Sequence, residues 1–448
     1  MEFIVCKFGG SSVSASATIV QIAKILDLKQ NRRCVVLSAP GKASGVAIKV
    51  TDLLIRATQK ALKNNDYSDE LIQVKKRFLD IYTPLGLKKE AVASVCEDFD
   101  RRLSSPKEHP GKFRDLVVAG GEDVNARLFA EYLIVQGKKA VYVSPKDAGL
   151  LVTPAFGDAQ PIEEIALRLA ALKKICSEQI VVFPGFFGVT EEGDVATFSR
   201  GGSILAEALD AIEYENWTDV DGIFSANPTT VEKPIQIPAL TYREMRELSY
   251  IGFNVLHEEA VRPVMRKKIP IRLRNTFNLE NSGTLIVSEK LPSQRDITGI
   301  ASGGGYCSFT LQKFLMNREK GFGRVLLSIF EEMRLSYEHC PSGVDNISII
   351  LDQNQLKPED VNNIIRAIDD RLKPDDIKVE FGIALVAVVG EGLLHKIGVL
   401  SQAAAALSKA GVNIKLCNQG SSEISIIFGI DASDEKKAVN ALYNEFFK

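Results

Sequence analysis

Lys7-Phe8-Gly9-Gly10-Ser11-Ser12 sets a cation, two adjacent glycines and two hydroxyls where a short apolar run gives way to helical spacing. Two glycines let a backbone approach a polyphosphate closely, and a helix N-terminus adds N–H donors that have no partner within the helix. From the end of the preceding strand, Lys7 can supply positive charge to β- and γ-phosphates. The GxxxxGK[ST] spacing of a Walker loop is absent. The same residues also suit a plain strand-to-helix turn with a solvated lysine.

Three other segments carry chemistry. Ser199-Arg200-Gly201-Gly202-Ser203 puts an arginine beside two glycines, an arrangement for a bidentate grip on a carboxylate or phosphate, or a surface arginine in a loose loop. Trp217-Thr218-Asp219-Val220-Asp221-Gly222-Ile223 ends a strand with two acids two residues apart. These can position Mg²⁺ waters or a ribose, or cap a polar turn. Glu122 follows Leu116–Gly121, whose apolar stretch reads as a strand. That places Glu122 at a strand's carboxyl end, where ligands of open α/β sheets collect.

The elements that must position these residues alternate. Strands are expected at Phe3–Phe8, Cys34–Leu37, Leu116–Ala119, Ala140–Val143 and Ile180–Phe183, with this part ending after Gly283–Val287. Helices are expected between them, through Ile19, Ile22, Ala23 and Leu26, and through Val50, Leu53, Leu54, Ala57 and Ala61. Continuous apolar strands separated by helices predict an α/β fold, a mainly parallel sheet covered on both faces, over residues 1–290. The polar run Ser288–Arg295 then reads as a linker.

The chain has 448 residues, room for two or three domains, and a net charge of −2 without a basic stripe, which argues against nucleic-acid binding. No apolar run reaches membrane-span length, and the N-terminus lacks a signal-peptide core. The seven cysteines show no CxxC spacing, as expected of reduced core thiols in a cytoplasmic protein. The four histidines, at 109, 257, 339 and 395, are not at ligand spacing, so a His-built metal site or triad is not expected.

The C-terminal third repeats itself. Gly321, Cys340, Gly343, Ile347 and Ser348 recur as Gly398, Cys417, Gly420, Ile424 and Ser425, each 77 positions later. Five matches at one offset argue for duplication. Each copy runs helix, strand, turn, strand, helix. The first copy has Phe322–Met333, Leu335–His339, Asn346–Leu351 and Glu359–Leu372, with flanking strands Tyr306–Phe314 and Ile377–Phe381. The second has Ala384–Val389, Gly398–Lys409, Val412–Leu416, Glu423–Ile430 and Glu435–Phe447, one strand short of βαββαβ. The orphan run Ile297–Ala301 is expected to cross over and complete it, since an open sheet edge leaves backbone groups unpaired. The domains are therefore expected at 1–290, at 306–381, and at 296–302 together with 382–448.

In their order along the chain these motifs resemble the aspartate kinase family: K-F-G-G-S-S, G-G-E at 120–122, R-G-G-S at 200–203 and W-T-D-V-D-G-I at 217–223. Val344-Asp345-Asn346-Ile347-Ser348 and Asn418–Ile424 are similar to its ACT-domain turns, so the repeats would be ferredoxin-like α+β ACT domains. The chain most resembles the family's monofunctional, lysine-sensitive type, because Leu256-His257-Glu258-Glu259-Ala260 leads directly into the paired repeats. The resemblance implies ATP binding by Lys7, Phe8, Gly9, Gly10, Ser11, Thr218, Asp219 and Phe224, with Mg²⁺ held mainly through the nucleotide phosphates. It implies aspartate binding by Glu122 (the α-ammonium), Arg200 (the α-carboxylate), Thr51, Gly201, Gly202 and Ser203. Lys7, Glu122 and Arg200 would be the catalytic set. An amino-acid effector, lysine or else threonine or both, would sit at Met316, Val344, Asp345 and Ser348. Because a single ACT copy rarely buries both sheet faces alone, a homo-oligomer formed through these domains is expected.

The implied chemistry is coherent. The nucleophile is a β-carboxylate, already ionised near neutrality because aspartate titrates at about 3.9, so no general base is needed. The chain also departs from the family pattern. No Asp follows R-G-G-S, and the loop between Ser203 and the next helix is about four or five residues shorter than the pattern. That means either a truncated loop or a break between Ser203 and Ile204. Thr229 stands where many members have Arg after N-P, and Asn254 replaces a lysine often found near the nucleotide. A different acceptor (glutamate, carbamate or a nucleoside monophosphate) and a non-catalytic sensor are the competing readings.

Overall fold

The computed structural model describes residues 2–162, 169, 171–198, 201–252, 261–292, 295–420 and 422–448. The chain forms two compact units, Met1–Ile223 with Gln236–Tyr242 and Leu256–Leu291, and Phe224–Ile235 with Arg243–Val255 and Pro292–Lys448.

The first unit is built on strands β1 (Ile4–Phe8), β2 (Arg32–Leu37), β3 (Ala140–Tyr142), β4 (Ile180–Pro184), β5 (Phe187–Val189), β6 (Val195–Thr197), β7 (Glu213–Thr218), β8 (Ala239–Thr241), β9 (Ile271–Asn275) and β10 (Thr284–Val287). Eight of them form one sheet in the order β3-β4-β2-β1-β7-β9-β10-β8, with β5 and β6 a separate pair. All its pairings are parallel except β9 with β10. β4 is buried at every residue and β1 at every residue but Lys7, so both faces of these strands are covered, as near-continuous apolar runs require.

Leu116–Ala119, expected as a strand, lies instead inside a 26-residue helix, Pro110–Val135. Pro110 starts that helix at its first position, and Gly137, at φ 74°, follows its end. The helix is buried on nearly every side, from Phe113 through Val117, Val118, Val124 and Leu128 to Leu133. A short apolar run with two valines looks the same in a buried helix as in a buried strand, so periodicity could not separate them.

A buried ion pair ties β2 to β7 across β1. Arg32 Nη2 lies 2.8 Å from Glu215 Oε1, and neither side chain reaches solvent. Glu215 also accepts from the Trp217 indole at 2.9 Å and from the Cys6 thiol at 3.4 Å. The Arg32 and Arg274 guanidinium groups lie 5.2 and 4.8 Å from the Trp217 ring centre. Burial pushes the Glu215 carboxyl up, but Arg32 and Lys29 outweigh it and hold the pKa below its ordinary value.

The second unit carries a five-stranded antiparallel sheet of β11 (Gly299–Gln312), β12 (Asn346–Asp352), β13 (Asp376–Val389), β14 (Leu416–Asn418) and β15 (Ser425–Asp431), ordered β12-β11-β13-β15-β14. β11 and β13 are each 14 residues long and pair along their whole length. Gly299–Gly303 lies opposite Leu385–Val389, and Tyr306–Gln312 lies opposite Asp376–Ile383, with a register shift between. The stretches 377–381 and 384–389, expected as two strands, are thus one. Ile300 packs in a core with Val386, Val388, Leu407, Phe428 and Leu442 from the second repeat copy. The first copy has its own core around Phe309, Leu326, Phe330, Ile349 and Ile368.

Two expected strands shrink. Leu335–His339 contributes only a bridge from His339 to Ile350, and Val412–Leu416 gives way to the short Leu416–Asn418. The repeated glycines Gly321 and Gly398 precede equivalent helices at φ 83° and 90°, a conformation that disfavours side chains, which explains why both copies carry glycine there. Five of the seven cysteines are buried; Cys340 is half-buried and Cys417 exposed. Among the described residues no helix is long and apolar enough to cross a membrane.

Replacing Arg32 with Met leaves the Glu215 carboxylate buried without its main counter-charge. The expected cost is roughly 3–5 kcal/mol in the first unit's unfolding free energy. Urea unfolding followed by fluorescence of Trp217, the sole tryptophan, measures it. An unchanged midpoint would show that the pair contributes nothing.

Candidate active site

The carboxyl ends of β1, β2 and β7 lie side by side, and the turns that leave them enclose a cleft of about 510 Å³ in the first unit. Gly10 and Ser11 come from the turn after β1, and Ser38, Ala39, Gly41 and Lys42 from the turn after β2. Lys49 and Thr51 open the Val50–Leu62 helix, Glu122 projects from the long helix, and Asp219 follows β7.

The glycine turn is held on two sides. Gly9 N–H donates to Trp217 O at 3.0 Å, and Gly10 O accepts from Gly41 N–H at 2.8 Å. Gly10–Val13 forms one 3-10 turn before the Ser16–Asp27 helix begins, so the expected direct strand-to-helix transition is interrupted. Ser12 is buried, its hydroxyl 2.7 Å from that of Thr276. Phe8 stacks on Trp217 with centroids 5.8 Å apart.

Glu122 is the most perturbed group of the cleft. Burial drives its pKa up to about 7, against Lys7 and the backbone N–H groups of Gly185, Phe186 and Ala39, which favour the carboxylate. The Gly185 N–H donates to its Oε2 at 2.5 Å. A Cβ at Gly185 would come within 2.9 Å of that oxygen, so only glycine lets the backbone approach this closely. Gly201 in turn packs so tightly on Gly185 that a Cβ there would overlap its carbonyl oxygen at 1.6 Å. The turn after β4 therefore sits between Gly201 and Glu122.

The sequence-derived set divides as follows. Gly10, Ser11, Thr51, Glu122 and Asp219 share the cleft, and Lys7 acts on Glu122 electrostatically. The Thr218 hydroxyl donates to Asp219 at 3.1 Å. Gly202 packs on Tyr214, and Ser203 is buried, its hydroxyl without a partner among the described residues. Ser203 and Ile204 are consecutive residues of the Gly202–Ala208 helix. Phe224 belongs to the second unit. Arg200 lies outside the described residues, as do Asn254 and the 256–260 motif. Among the described residues no cluster of three His, Cys, Asp or Glu is placed to hold a metal. Ser38, Lys42 and Lys49 were not singled out from the sequence; their signal was the second glycine turn, Pro40-Gly41, at the end of β2.

In the second unit, Leu315 N–H donates to Asp345 Oδ1 at 2.9 Å, and Asn317 N–H donates to Val344 O at 3.2 Å. The Thr310 and Ser348 hydroxyls are 2.9 Å apart. Met316 is buried beside this turn, whereas Val344 is 66% exposed. The expected effector residues thus gather where β11 ends.

A glycine turn facing a buried carboxylate at the carboxyl edge of a mainly parallel sheet suits a small ligand that carries both a phosphate and a cationic group. A model of the amino acid kinase family matches residues 2–275, and one of the ACT domain matches 386–446. Aspartokinase 3 of Bacillus subtilis (strain 168) is 45% identical over 448 residues, covering 99% of this chain and 98% of that protein. The aspartate kinase of Clostridium acetobutylicum superposes with a TM-score of 0.88 at 35% identity, covering 99% of this chain and 100% of that one. The E. coli aspartokinase III in complex with aspartate and ADP has a TM-score of 0.77 at 24% identity, covering 100% of both chains, and shares the fold. The chain belongs to the aspartokinase family, and its reaction is the ATP-dependent phosphorylation of aspartate.

The raised Glu122 pKa has a consequence for stability. Between the ordinary 4.5 and about 7, the folded state keeps a proton that the unfolded chain has lost. This contribution is complete below pH 4.5 and is lost as pH climbs through 7, about 3 kcal/mol in all. Glu122→Gln removes it. The stability of the unmodified chain relative to this variant should fall by about that much from pH 4.5 to 8 in urea titrations. A difference independent of pH would contradict the assignment.

Proposed function

We propose that the cleft holds ATP along the Lys7–Ser11 turn, Thr218 and Asp219, and seats aspartate through Glu122, Arg200, Thr51 and Gly201–Ser203. The observation that carries this reading is the buried Glu122 carboxylate beside the glycine turn. A carboxyl group raised to about 7 by burial becomes a full anion when a cation arrives, and the substrate's α-ammonium is such a cation. The substrate's β-carboxylate oxygen then forms a bond to Pγ while the bond from Pγ to the β–γ bridging oxygen breaks, and ADP leaves with that electron pair. Lys7 and the turn's backbone N–H groups stabilise the charge that develops on the phosphoryl oxygens. Mg²⁺ would be carried by the nucleotide phosphates with Asp219 as the nearby cleft carboxylate, and it would neutralise phosphate charge.

On this reading residues 1–290 are the catalytic domain, 306–381 the first ACT domain, and 296–302 with 382–448 the second. The pairing of Gly299–Gly303 with Leu385–Val389 supports the crossed arrangement. The ACT region binds an amino-acid effector at Met316, Val344, Asp345 and Ser348. We take it to be lysine, as in the E. coli aspartokinase III crystallised with lysine and aspartate. The protein acts in the cytoplasm as a homo-oligomer formed through these domains.

A hydroxamate assay with ATP, Mg²⁺ and millimolar aspartate tests the whole reading: absence of aspartyl phosphate would refute it. Lys7→Ala should lower kcat about 10²–10³-fold, and Glu122→Gln should raise the KM for aspartate at least about tenfold. Lysine should inhibit and raise the melting temperature. Asp345→Asn preserves the acceptor for the Leu315 N–H but removes the charge, so it should relieve inhibition without loss of activity. Inhibition by threonine alone would replace lysine as the effector.

A further inference from the structure

The cleft contains more positive charge than the glycine turn accounts for. Lys42 and Lys49 both line it, and among the described residues neither ammonium has an ion-pair or hydrogen-bond partner. Several lysines of this unit end on carboxylates, as Lys60 does on Glu70 and Lys112 on Asp194, and others such as Lys63 point to open solvent; Lys42 and Lys49 differ from both groups in lining the cleft. Unpaired ammonium groups that share a cleft with a glycine turn suit an anionic ligand.

The segment carrying them is fixed at its base. Gly41 N–H donates to Gly10 O at 2.8 Å, Val50 N–H donates to Pro40 O at 3.0 Å, and the Arg77 guanidinium donates to Gly41 O at 2.7 Å. Between the lysines, Ala43 and Val46 exchange backbone hydrogen bonds at 3.2 and 2.9 Å and close a small hairpin. Lys42 therefore leaves the chain one residue from the contact with the glycine turn, and Lys49 leaves it two residues from Thr51.

We propose that Lys42 and Lys49 are anion-binding residues of the reaction, Lys42 for the terminal phosphate of the nucleotide and Lys49 for a carboxylate of the acceptor. The inference rests on the function proposed above. Phosphoryl transfer brings a carboxylate up to a triphosphate, and Glu122 and Asp219 add negative charge to the same space. No proton moves in the step, so the chemistry calls for cations rather than bases. A lysine is a compact charge on a flexible stem, which suits it to follow a phosphoryl group as it passes from one oxygen to another.

The test uses the full chain with Lys42→Ala and Lys49→Ala, and with Lys63→Ala as a control at the far end of the Val50–Leu62 helix. All three side chains are exposed, so melting should be unchanged. Lys42→Ala should lower kcat about ten- to hundredfold, and Lys49→Ala should raise the KM for aspartate about tenfold, the size of a lost charge-assisted contact. Arginine at either position should restore part of the loss. Values within about twofold of the Lys63→Ala control for both variants would overturn the proposal. If the unmodified chain makes no acyl phosphate, the broader function fails first, and binding decides the lysines separately. In titrations followed by Trp217 fluorescence, Lys42→Ala should then weaken Mg-ATP, and Lys49→Ala aspartate, at least about fivefold. Affinities equal to those of the unmodified chain would overturn the proposal on that arm too.

Discussion

Two backbone turns meet with nothing between them at Gly10 and Gly41. A Cβ on Gly41 would stand 2.7 Å from the Gly10 carbonyl carbon, closer than side chains are found, while the Gly41 N–H donates to the Gly10 oxygen at 2.8 Å. The contact needs β1 and β2 to end level, which their parallel register provides by setting Phe8 opposite Leu37. It also needs glycine at 41, and leaves only tight space for a side chain at Gly10, where a Cβ would stand 3.1 Å from Ala39 O. With it, the turn after β2 becomes a wall of the same cleft whose floor includes Glu122, and the start of the Val50–Leu62 helix follows into place. Without it, the two turns would open onto separate surfaces.

The sheet beneath that contact is kept in register by the Arg32–Glu215 pair. Parallel strands offer few side-chain cues to register when both faces are apolar, because a slipped strand still buries hydrophobic residues. A buried charge pair supplies such a cue, since a slip would leave two ions without partners at a cost of several kcal/mol. Trp217, near the Arg32 and Arg274 guanidinium groups and bonded to Glu215, extends the same restraint to the residue before Thr218 and Asp219. The segment carrying Thr218 and Asp219 is thus tied to the buried ion pair between β2 and β7.

Most strands, the glycine turns and the duplication were legible from sequence because each has a local signature: a continuous apolar run, a pair of glycines, a fixed offset. Glu122 was found for an incomplete reason. Its position at the cleft is expected from a strand end, yet a helix buried on nearly every side presents it, and an apolar run around Val117 and Val118 does not distinguish the two. The Pro40-Gly41 turn marks the segment of Lys42 and Lys49 in the sequence, but an exposed lysine within it has no signature of its own. Only the meeting of turns more than thirty residues apart in sequence gives them a common neighbour. The long β11–β13 ladder was likewise split into pieces, since Gly382, at φ 73°, and the Gly303–Gly305 run look like strand ends while marking irregularities within one pairing.

Charge in the cleft follows from these placements. A fully ionised carboxylate at the Glu122 position would be costly to bury and would repel a triphosphate, whereas a carboxyl group with a pKa of about 7 is near half-ionised at neutrality and bears only part of that cost before a ligand arrives. An incoming ammonium shifts it to the carboxylate, so its negative charge is completed by the group that neutralises it. On the proposal above, Lys42 and Lys49, exposed where they line the cleft, supply the complementary positive charge. On the proposed function, burial of the acid and exposure of the lysines are two answers to one constraint, that a cleft receiving a triphosphate and a dicarboxylate together must hold little net negative charge when empty.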